Sequence, residues 1–229
     1  ANKGWTGIGK KKDMENKKEI EDKKEIKIKK EMENIKEMQN KKELICRIAG
    51  LLFEKGLVSG KDGNISIRTG EDEMLITPSG ICKGFLAPEM IIRQRFDGAV
   101  IEGSYKSTRE AAMHSRLYEL RPDIGAIVHT HPAAATAFAV CGKGFPENWV
   151  LEVPSLIGKI GIAGYAPAGS RQLVEEVEKT ADSDVIFLQN HGVITYGPDI
   201  YDAFSRMDAV ENTAKTILYA QFLGGAREF

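Results

Sequence analysis

The sequence predicts an α/β fold: a layered domain in which helices flank a central, largely antiparallel sheet. Short apolar runs with β-branched residues, at residues 124–128 and 184–189, are typical of buried strands. Other short segments alternate apolar and polar residues and are separated by glycine-containing turns, as in hairpins. Helical segments lie between the later strands, so we expect helices to cover the sheet.

The composition limits the possible classes of function. A chain of 229 residues is long enough for one domain with a substantial apolar core. Its formal net charge of −1 gives no general attraction to nucleic acid, and no apolar run reaches the length of a membrane span. The three cysteines lack paired spacing, which argues against a disulfide framework and for a reducing compartment. The lysine-rich start lacks a signal-peptide pattern, so we expect a soluble cytoplasmic protein without nucleic-acid or membrane partners.

Residues 1–40 are a lysine- and glutamate-rich extension, which we expect to be helical or disordered. Residues 1–43 contain 14 lysines and 10 acidic residues. Because the opposite charges are interleaved, a nucleic-acid-binding surface is not indicated. Two interpretations remain open, a solvated extension and an arm that binds a partner or forms a coiled coil. Residues 41–229 are predicted to form the folded domain, whose first helix covers about residues 41–55.

The following segment predicts a β-hairpin. Residues 63–68 and 74–77 alternate as strands, and residues 69–72 join them. Glycine-containing turns flank the pair at residues 62–64 and 78–80. Glycine allows backbone N–H groups to approach a ligand closely, and successive amides form nests that bind anions. The two turns are therefore either a phosphate-binding cradle or ordinary turns.

A helix is predicted to begin at Ser107 or Thr108, because both residue types are good N-caps. Glu110 then lies near the helix N-terminus, where the helix dipole favours a carboxylate. His114 follows four residues later and shares the same helix face. The pair is either functional or simply an N-terminal acid beside a core histidine.

Two histidines follow the predicted strand at residues 124–128. Side chains two positions apart on a strand point the same way, so His129 and His131 are expected to project together at its end. Pro132 donates no ladder hydrogen bond and ends the strand. The small residues at 133–140 then predict a helix that packs closely against the sheet without covering the histidines.

The rest of the chain predicts alternating strands and helices. The predicted elements are a loop at 141–152, a strand at 157–163, a turn at 165–169, a helix at 170–180 capped by Ser170, a strand at 192–196 and a helix at 199–223.

Three of the four histidines follow apolar strands, since His191 comes directly after the predicted strand at residues 184–189. A catalytic zinc site uses three protein ligands and leaves one coordination position open. The pattern of His129, His131 and His191 therefore predicts a metal site.

Taken together, these stretches resemble the class II aldolase/adducin family, whose members include sugar-phosphate aldolases and pentose-phosphate 4-epimerases. The resemblance covers about residues 44–222 and implies the family's layered α/β fold. Five segments carry it: residues 63–68 (GNISIR), residues 76–81 (ITPSGI), Glu110 with His114, residues 121–123 leading to 129–131 (HTH), and residues 189–192 (QNHG).

The resemblance implies one Zn²⁺ per subunit, or another divalent metal. His129, His131 and His191 match the family's three zinc ligands. Glu110 matches an acidic residue that ligates the metal when no substrate is bound. Once substrate displaces it, the same residue acts as the acid/base.

The resemblance also implies a site for the substrate phosphate. The matching positions are Gly63, Asn64, Ser79 and Gly80. In the family, two small hydroxyl residues before the glutamate usually continue this pocket, and Thr108 fits that pattern. Arg109 departs from it. An arginine there binds phosphate in a bidentate manner, or it indicates a substrate that carries a carboxylate.

The implied activity is that of a zinc-dependent aldolase acting on a small sugar phosphate of the L-fuculose 1-phosphate type. Such an enzyme cleaves or forms a C–C bond and releases dihydroxyacetone phosphate and an aldehyde. The same groups serve the family's 4-epimerases, dehydratases and decarboxylases, so these activities stay open. Aldolases of this type take a proton donor from a tyrosine of a neighbouring subunit. Val150 lies near that place here, so the donor is not identified.

The family resemblance implies a homotetramer with active sites at subunit interfaces. It also leaves open a second class of function, the non-catalytic scaffold represented by adducin. A scaffold has no need of all three histidines together with Glu110. The presence of the full set therefore favours an enzyme.

Overall fold

The computed structural model describes residues 6–229, with side chains from residue 23 onward. The first five residues of the predicted extension lie outside the described residues. The chain divides into two compact units, residues 1–40 and residues 41–229. The backbone of the first unit is helical from residue 6, as part of α1 (Thr6–Glu54). Exposed apolar side chains of this unit include those of Ile26, Ile28, Met32 and Ile35.

The second unit contains an eight-stranded sheet. Its strands are β1 (Asn64–Arg68), β2 (Glu73–Ile76), β3 (Ile92–Arg95), β4 (Val100–Glu102), β5 (Ala126–Thr130), β6 (Ile160–Ala163), β7 (Val185–Leu188) and β8 (Gly192–Gly197). The spatial order is β4-β3-β2-β1-β5-β8-β7-β6. All neighbours are antiparallel except β6 and β7, which are parallel. The predicted fold class, a largely antiparallel sheet flanked by helices, is therefore confirmed.

Helices cover both faces of this sheet. They are α2 (Ala111–Leu120), α3 (Ala133–Val140), α4 (Arg171–Glu178) and α5 (Ile200–Phe222). Helices α2 and α4 pack together over one face, where Ile127 and Ile194 belong to a cluster of buried apolar side chains. The alternate residues point to the other face, where α5 packs on β5 and β8 with α3 beside it. Each fully buried aliphatic side chain contributes about 1.5–3 kcal/mol to this core.

Three short helical segments complete the second unit. They are two 3₁₀ turns, Lys83–Phe85 and Pro88–Met90, and a π-helical turn, Val153–Ile157. None of the helices in the described part of the chain is long and apolar enough to cross a membrane. Cys46, Cys82 and Cys141 are free thiols.

Three chain segments meet at one end of the central strands β1, β5 and β8. Strand β5 pairs with β1 on one side, where His129 faces Asn64, and with β8 on the other, where His129 faces Ile194. His191 lies in the tight turn that enters β8, with its backbone N–H donating to Leu188 O at 3.0 Å. The first residue of β1, the end of β5 and the start of β8 therefore lie next to one another.

Candidate metal centre

His129 is held in a single orientation by its strand neighbour. Its side chain is 0 % exposed, and its Nδ1 lies 2.9 Å from Val193 O. A carbonyl only accepts hydrogen bonds, so Nδ1 carries the proton and donates it to Val193. The lone pair of Nε2 is then free to bind a metal, and a backbone carbonyl behind a ligand ring is the usual arrangement in such sites.

The rings of His129, His131 and His191 converge. Their centroids are 4.8–4.9 Å apart in all three pairs. One ring nitrogen from each residue can be chosen so that all three lie within 4.8 Å of one another. The Nε2 atoms of His129 and His131 are 3.2 Å apart, close to the roughly 3.3 Å that tetrahedral Zn–N bonds of about 2.05 Å would give. The structure thus brings the predicted ligand set together.

Glycine makes room for this convergence at two positions. A Cβ on Gly192 would lie 2.5 Å from His131 Cδ2 and 2.5 Å from Thr130 O. Gly63 has φ +72°, and a Cβ there would lie 2.7 Å from His129 O. Any larger residue at either position would push β1 or the His191 turn away from the end of β5.

Glu110 faces the histidines from the start of α2, where it is the N-cap residue. Its Oε2 is 3.3 Å from His129 Nε2, and its Oε1 is 3.3 Å from His191 Nε2. Oε2 also accepts a hydrogen bond of 2.7 Å from Asn64 Nδ2. Burial alone raises the pKa of Glu110, but His129, then His191 and Asn64, lower it well below its usual range. The carboxylate is therefore ionised at neutral pH.

The donor set fits a divalent metal. Burial, and then the neighbouring His129 and His191, lower the pKa of His131 to about 3. Burial also lowers the pKa of His191. Metal-binding imidazoles must be neutral, and these two stay neutral across the physiological range. Within the described residues Glu110 Oε1 is buried without a hydrogen-bond partner, which leaves an acceptor aimed at the cluster. Three imidazoles and one carboxylate are typical zinc donors.

His114 does not join the cluster. Its ring is fully buried under β1, where Nε2 lies 2.5 Å from Asn64 Oδ1 and Nδ1 lies 2.7 Å from Ser66 Oγ. Ser66 Oγ in turn lies 2.8 Å from the hydroxyl of Tyr118. Burial lowers the pKa of His114 to about 3, so the ring is neutral. His114 is thus a buried histidine whose ring nitrogens lie within hydrogen-bond distance of Asn64 and Ser66.

A cavity of about 300 Å³ opens above the cluster. Glu110, His131 and His191 line its base, and His129 is sealed below them. The six residues predicted to bind phosphate all line the same cavity; they are Gly63, Asn64, Ser79, Gly80, Thr108 and Arg109. The cavity thus places an anion-binding candidate next to a metal-binding candidate.

The chain matches the sequence pattern of the Class II Aldolase and Adducin N-terminal domain over residues 43–218. It belongs to this family. The L-fuculose phosphate aldolase of Methanocaldococcus jannaschii is 39% identical over 174 residues, covering 76% of this chain and 92% of that protein. The 3-oxo-tetronate 4-phosphate decarboxylase of Escherichia coli K12 is 30% identical over 177 residues, covering 75% and 82%.

Solved structures of class II aldolases share the fold. An L-fuculose 1-phosphate aldolase superposes with a TM-score of 0.74 at 27% identity, covering 82% of this chain and 89% of that chain. A putative aldolase/epimerase/decarboxylase from Escherichia coli gives a TM-score of 0.75, also at 27% identity, and covers 84% and 94%. The predicted family is confirmed, and these relatives carry more than one activity.

In this chain, the candidate phosphate-binding turns are not simply a nest of free backbone amides. The backbone N–H of Ser79 already donates to Lys106 O at 2.8 Å. Its hydroxyl, not its amide, is therefore the group available to a ligand. Gly80, with φ +75°, provides the turn that brings this loop to the cavity.

None of the described residues that line the cavity in this chain is a tyrosine. Val150, which stands near the expected place, lines a separate groove beside α5.

Sequence reasoning missed three residues near the site. Ser66 and Tyr118 extend the hydrogen-bond network behind Glu110, and Lys83 lines the cavity. Ser66 could have been predicted, because it lies two positions after Asn64 and therefore on the same strand face. No sequence pattern indicated a role for Lys83, because a lysine in a loop is ordinarily solvated.

Proposed function

We propose that this protein is a zinc-dependent aldolase that acts on a small sugar phosphate of the L-fuculose 1-phosphate type. It cleaves the C–C bond to give dihydroxyacetone phosphate and an aldehyde, and it condenses them in reverse. One observation carries the proposal. Three imidazoles and the Glu110 carboxylate meet at the base of a cavity whose walls hold the candidate phosphate-binding residues.

In this proposal, His129, His131 and His191 hold the metal ion. When bound, a divalent ion supplies Lewis acidity for the negative charge that develops on the substrate oxygens. On the side of the cluster that faces the cavity, the Glu110 carboxylate lies 3.3 Å from Nε2 of both His129 and His191. Substrate entering from the cavity therefore displaces Glu110 and not a histidine.

Glu110 is proposed as the proton carrier. In the condensation direction its ionised carboxylate removes a proton from the donor carbon beside the carbonyl. In the cleavage direction the protonated carboxyl returns that proton to the same carbon after the C–C bond has broken. Asn64 holds Oε2, so the acid/base keeps a fixed direction.

The test is a retro-aldol screen of sugar phosphates with and without a chelator, followed by Glu110→Gln. The amide keeps the shape but cannot carry the proton, so turnover should fall about 10²–10⁴-fold while metal content stays equal to wild type. Glu119→Gln is the matched control, because Glu119 lies exposed on the same helix, outside the cavity, and pairs with Arg116. Full turnover by a metal-loaded Glu110→Gln enzyme would contradict the assigned role.

Decarboxylation is the second candidate activity. Arg109 replaces a small hydroxyl residue of the family pattern in the cavity wall, and a second cationic group suits a substrate with a carboxylate as well as a phosphate. Relatives that act on 3-oxo-tetronate 4-phosphate support this alternative. Release of CO₂ would identify a decarboxylase, dihydroxyacetone phosphate an aldolase, and a rearranged pentose phosphate an epimerase.

The remaining proposals follow from the family. We propose a homotetramer in the cytoplasm, with residues 41–229 as the catalytic domain, since every candidate site residue lies in that range. Stoichiometric zinc in the purified protein would argue for the enzyme, whereas an adducin-like scaffold should purify without it.

A further inference from the structure

Lys83 is a buried cation in the wall of the candidate active site. It begins the 3₁₀ turn Lys83–Phe85, and only 2 % of its surface is exposed. It nevertheless lines the same cavity as the candidate phosphate-binding residues. Lysine is almost never this deeply buried unless a partner compensates its charge.

The ammonium group of Lys83 lies between two loops. Its Nζ donates to Ile81 O at 3.0 Å and to Lys61 O at 3.3 Å. Ile81 directly follows the turn at residues 78–80, and Lys61 directly precedes the turn at residues 62–64. The lysine therefore ties together the two loops of the candidate phosphate cradle. An ammonium has three N–H donors, so one donor remains for another acceptor.

The charge of Lys83 has no counter-charge within reach. Among residues 23–229, no carboxylate lies within 4.0 Å of its Nζ. Asp62 acts on it only at longer range, and burial, the largest influence, lowers the pKa of Lys83. An ammonium removed from water without a paired charge is costly, which is why buried lysines are normally matched by an anion. The cavity that Lys83 lines gives such an anion a route to it.

We propose that Lys83 is a specificity-determining residue that binds the phosphate group of the substrate through its remaining N–H and its charge. The sugar-phosphate identity of the substrate rests on the proposed function. Lys83 then selects among substrates, because a buried cation favours a phosphate monoester over the unphosphorylated sugar. A neutral ligand would leave the ammonium unpaired.

Inorganic phosphate is the probe, titrated calorimetrically into the metal-loaded protein. Lys83→Gln keeps N–H donors for the two loop carbonyls but removes the charge, and Lys83→Met removes both. Both variants should bind phosphate at least about 10-fold more weakly than wild type, the loss expected for a hydrogen bond to a charged group. The control Lys143→Gln, which removes an exposed lysine outside the cavity, should bind within about twofold of wild type.

Several outcomes would overturn the inference. They are wild type that does not bind phosphate, Lys83→Gln that binds as tightly as wild type, and a loss confined to Lys83→Met. A loss confined to Lys83→Met would show that Lys83 matters only through its hydrogen bonds to the two loop carbonyls and not through its charge. Circular dichroism and thermal unfolding establish that each variant is folded.

Kinetics separate this inference from the proposed function. With a sugar phosphate, Lys83→Gln should raise KM about 10-fold or more with little change in kcat, because the charge acts on binding and not on proton transfer. With the unphosphorylated sugar, kcat/KM should not change. If no lyase activity is found, the phosphate titration still decides the role of Lys83. If the lyase is confirmed and phosphate affinity is unchanged, only the inference fails.

Discussion

Glu110 owes its direction to a chain of hydrogen bonds with only one consistent polarity. Asn64 Nδ2 must donate to the carboxylate, so Asn64 Oδ1 must accept from His114 Nε2. The proton of the neutral ring is then on Nε2, and Nδ1 accepts from the hydroxyl of Ser66. The Ser66 oxygen accepts from Tyr118 in turn. Every member is fixed by the next, so His114 acts on the carboxylate without touching it.

Replacing His114 tests this chain at the scale of a residue. His114→Leu removes the donor to Asn64 Oδ1, which frees the amide to rotate away from Glu110 and leaves a buried acceptor unpaired. We expect kcat to fall about 10-fold or more while zinc content is retained. The acid limb of the pH–rate profile should move to higher pH, because the carboxylate loses a hydrogen bond that lowers its pKa.

The conservative variant His114→Gln is the control for that experiment. The glutamine amide reaches the position of Nε2 and donates to Asn64 in its place, so both kcat and the acid limb should return toward wild type. An equal loss in both variants, with an unshifted pH profile, would show that His114 has only a packing role.

At the scale of elements, the strands that carry the histidines were predictable because their signals are local. Two-residue periodicity placed His129 and His131 on one side before any fold was known. The predicted bounds of strand β5 were less accurate. The prediction put it at residues 124–128, but it runs from Ala126 to Thr130. Pairing with both β1 and β8 extends it over His129, and such pairing depends on distant residues.

Two other boundaries were wrong for similar reasons. Helix α2 was predicted to begin at Ser107 or Thr108, but it begins at Ala111 with Glu110 as the N-cap, because Ser107 forms a β-bridge with Pro78. The strand predicted from residue 157 begins at Ile160, because a π-helical turn precedes it. By contrast, Ser170 caps its helix as predicted, accepting from Leu173 N at 3.1 Å.

The burial of Lys83 could not be predicted at all. Its environment is made by two loops that meet only after β1 and β2 have paired. No local pattern in a sequence encodes such a meeting. The predicted phosphate residues came instead from family resemblance, which records the outcome of folding and not its local cause.

The turn between β7 and β8 permits a test at this scale, Gly192→Ala. The new Cβ would lie 2.5 Å from both the His131 ring and Thr130 O, so the His191 turn must move away from β5. We expect metal affinity to fall about 10–100-fold and the free energy of unfolding to fall by about 1–3 kcal/mol. Competition with a zinc chelator and urea unfolding measure the two effects.

Gly144→Ala is the matched control, since its Cβ would lie 3.8 Å from the nearest atom, Ile160 Cγ2. It should keep wild-type metal affinity and stability within about 0.5 kcal/mol. If Gly192→Ala behaves in the same way as this control, close packing between the His191 turn and β5 does not hold the ligands.

At the scale of the whole molecule, the site is built from three adjacent central strands and the start of one helix, all within Lys41–Phe229. Burial at this central site lowers the pKa of His131 and His191, which keeps these two imidazoles neutral and able to bind metal. The same burial has a cost at low pH, because neutral buried histidines resist protonation whereas the unfolded chain accepts protons freely.

This cost predicts the pH dependence of stability in the metal-free protein. Burial, and then the neighbouring His129, lower the pKa of His114 from 6.5 to about 3. Between these values the unfolded state binds a proton on residue 114 and the folded state does not, so stability falls as pH falls. Over this range, His114 lowers the free energy of unfolding by up to about 1.4 kcal/mol for each pH unit that the pH falls. His114→Gln removes this contribution but leaves the other histidines in place. In urea unfolding with chelator at pH 7.5 and pH 4.5, the wild-type protein should therefore lose more stability than the variant, and equal losses would contradict the prediction.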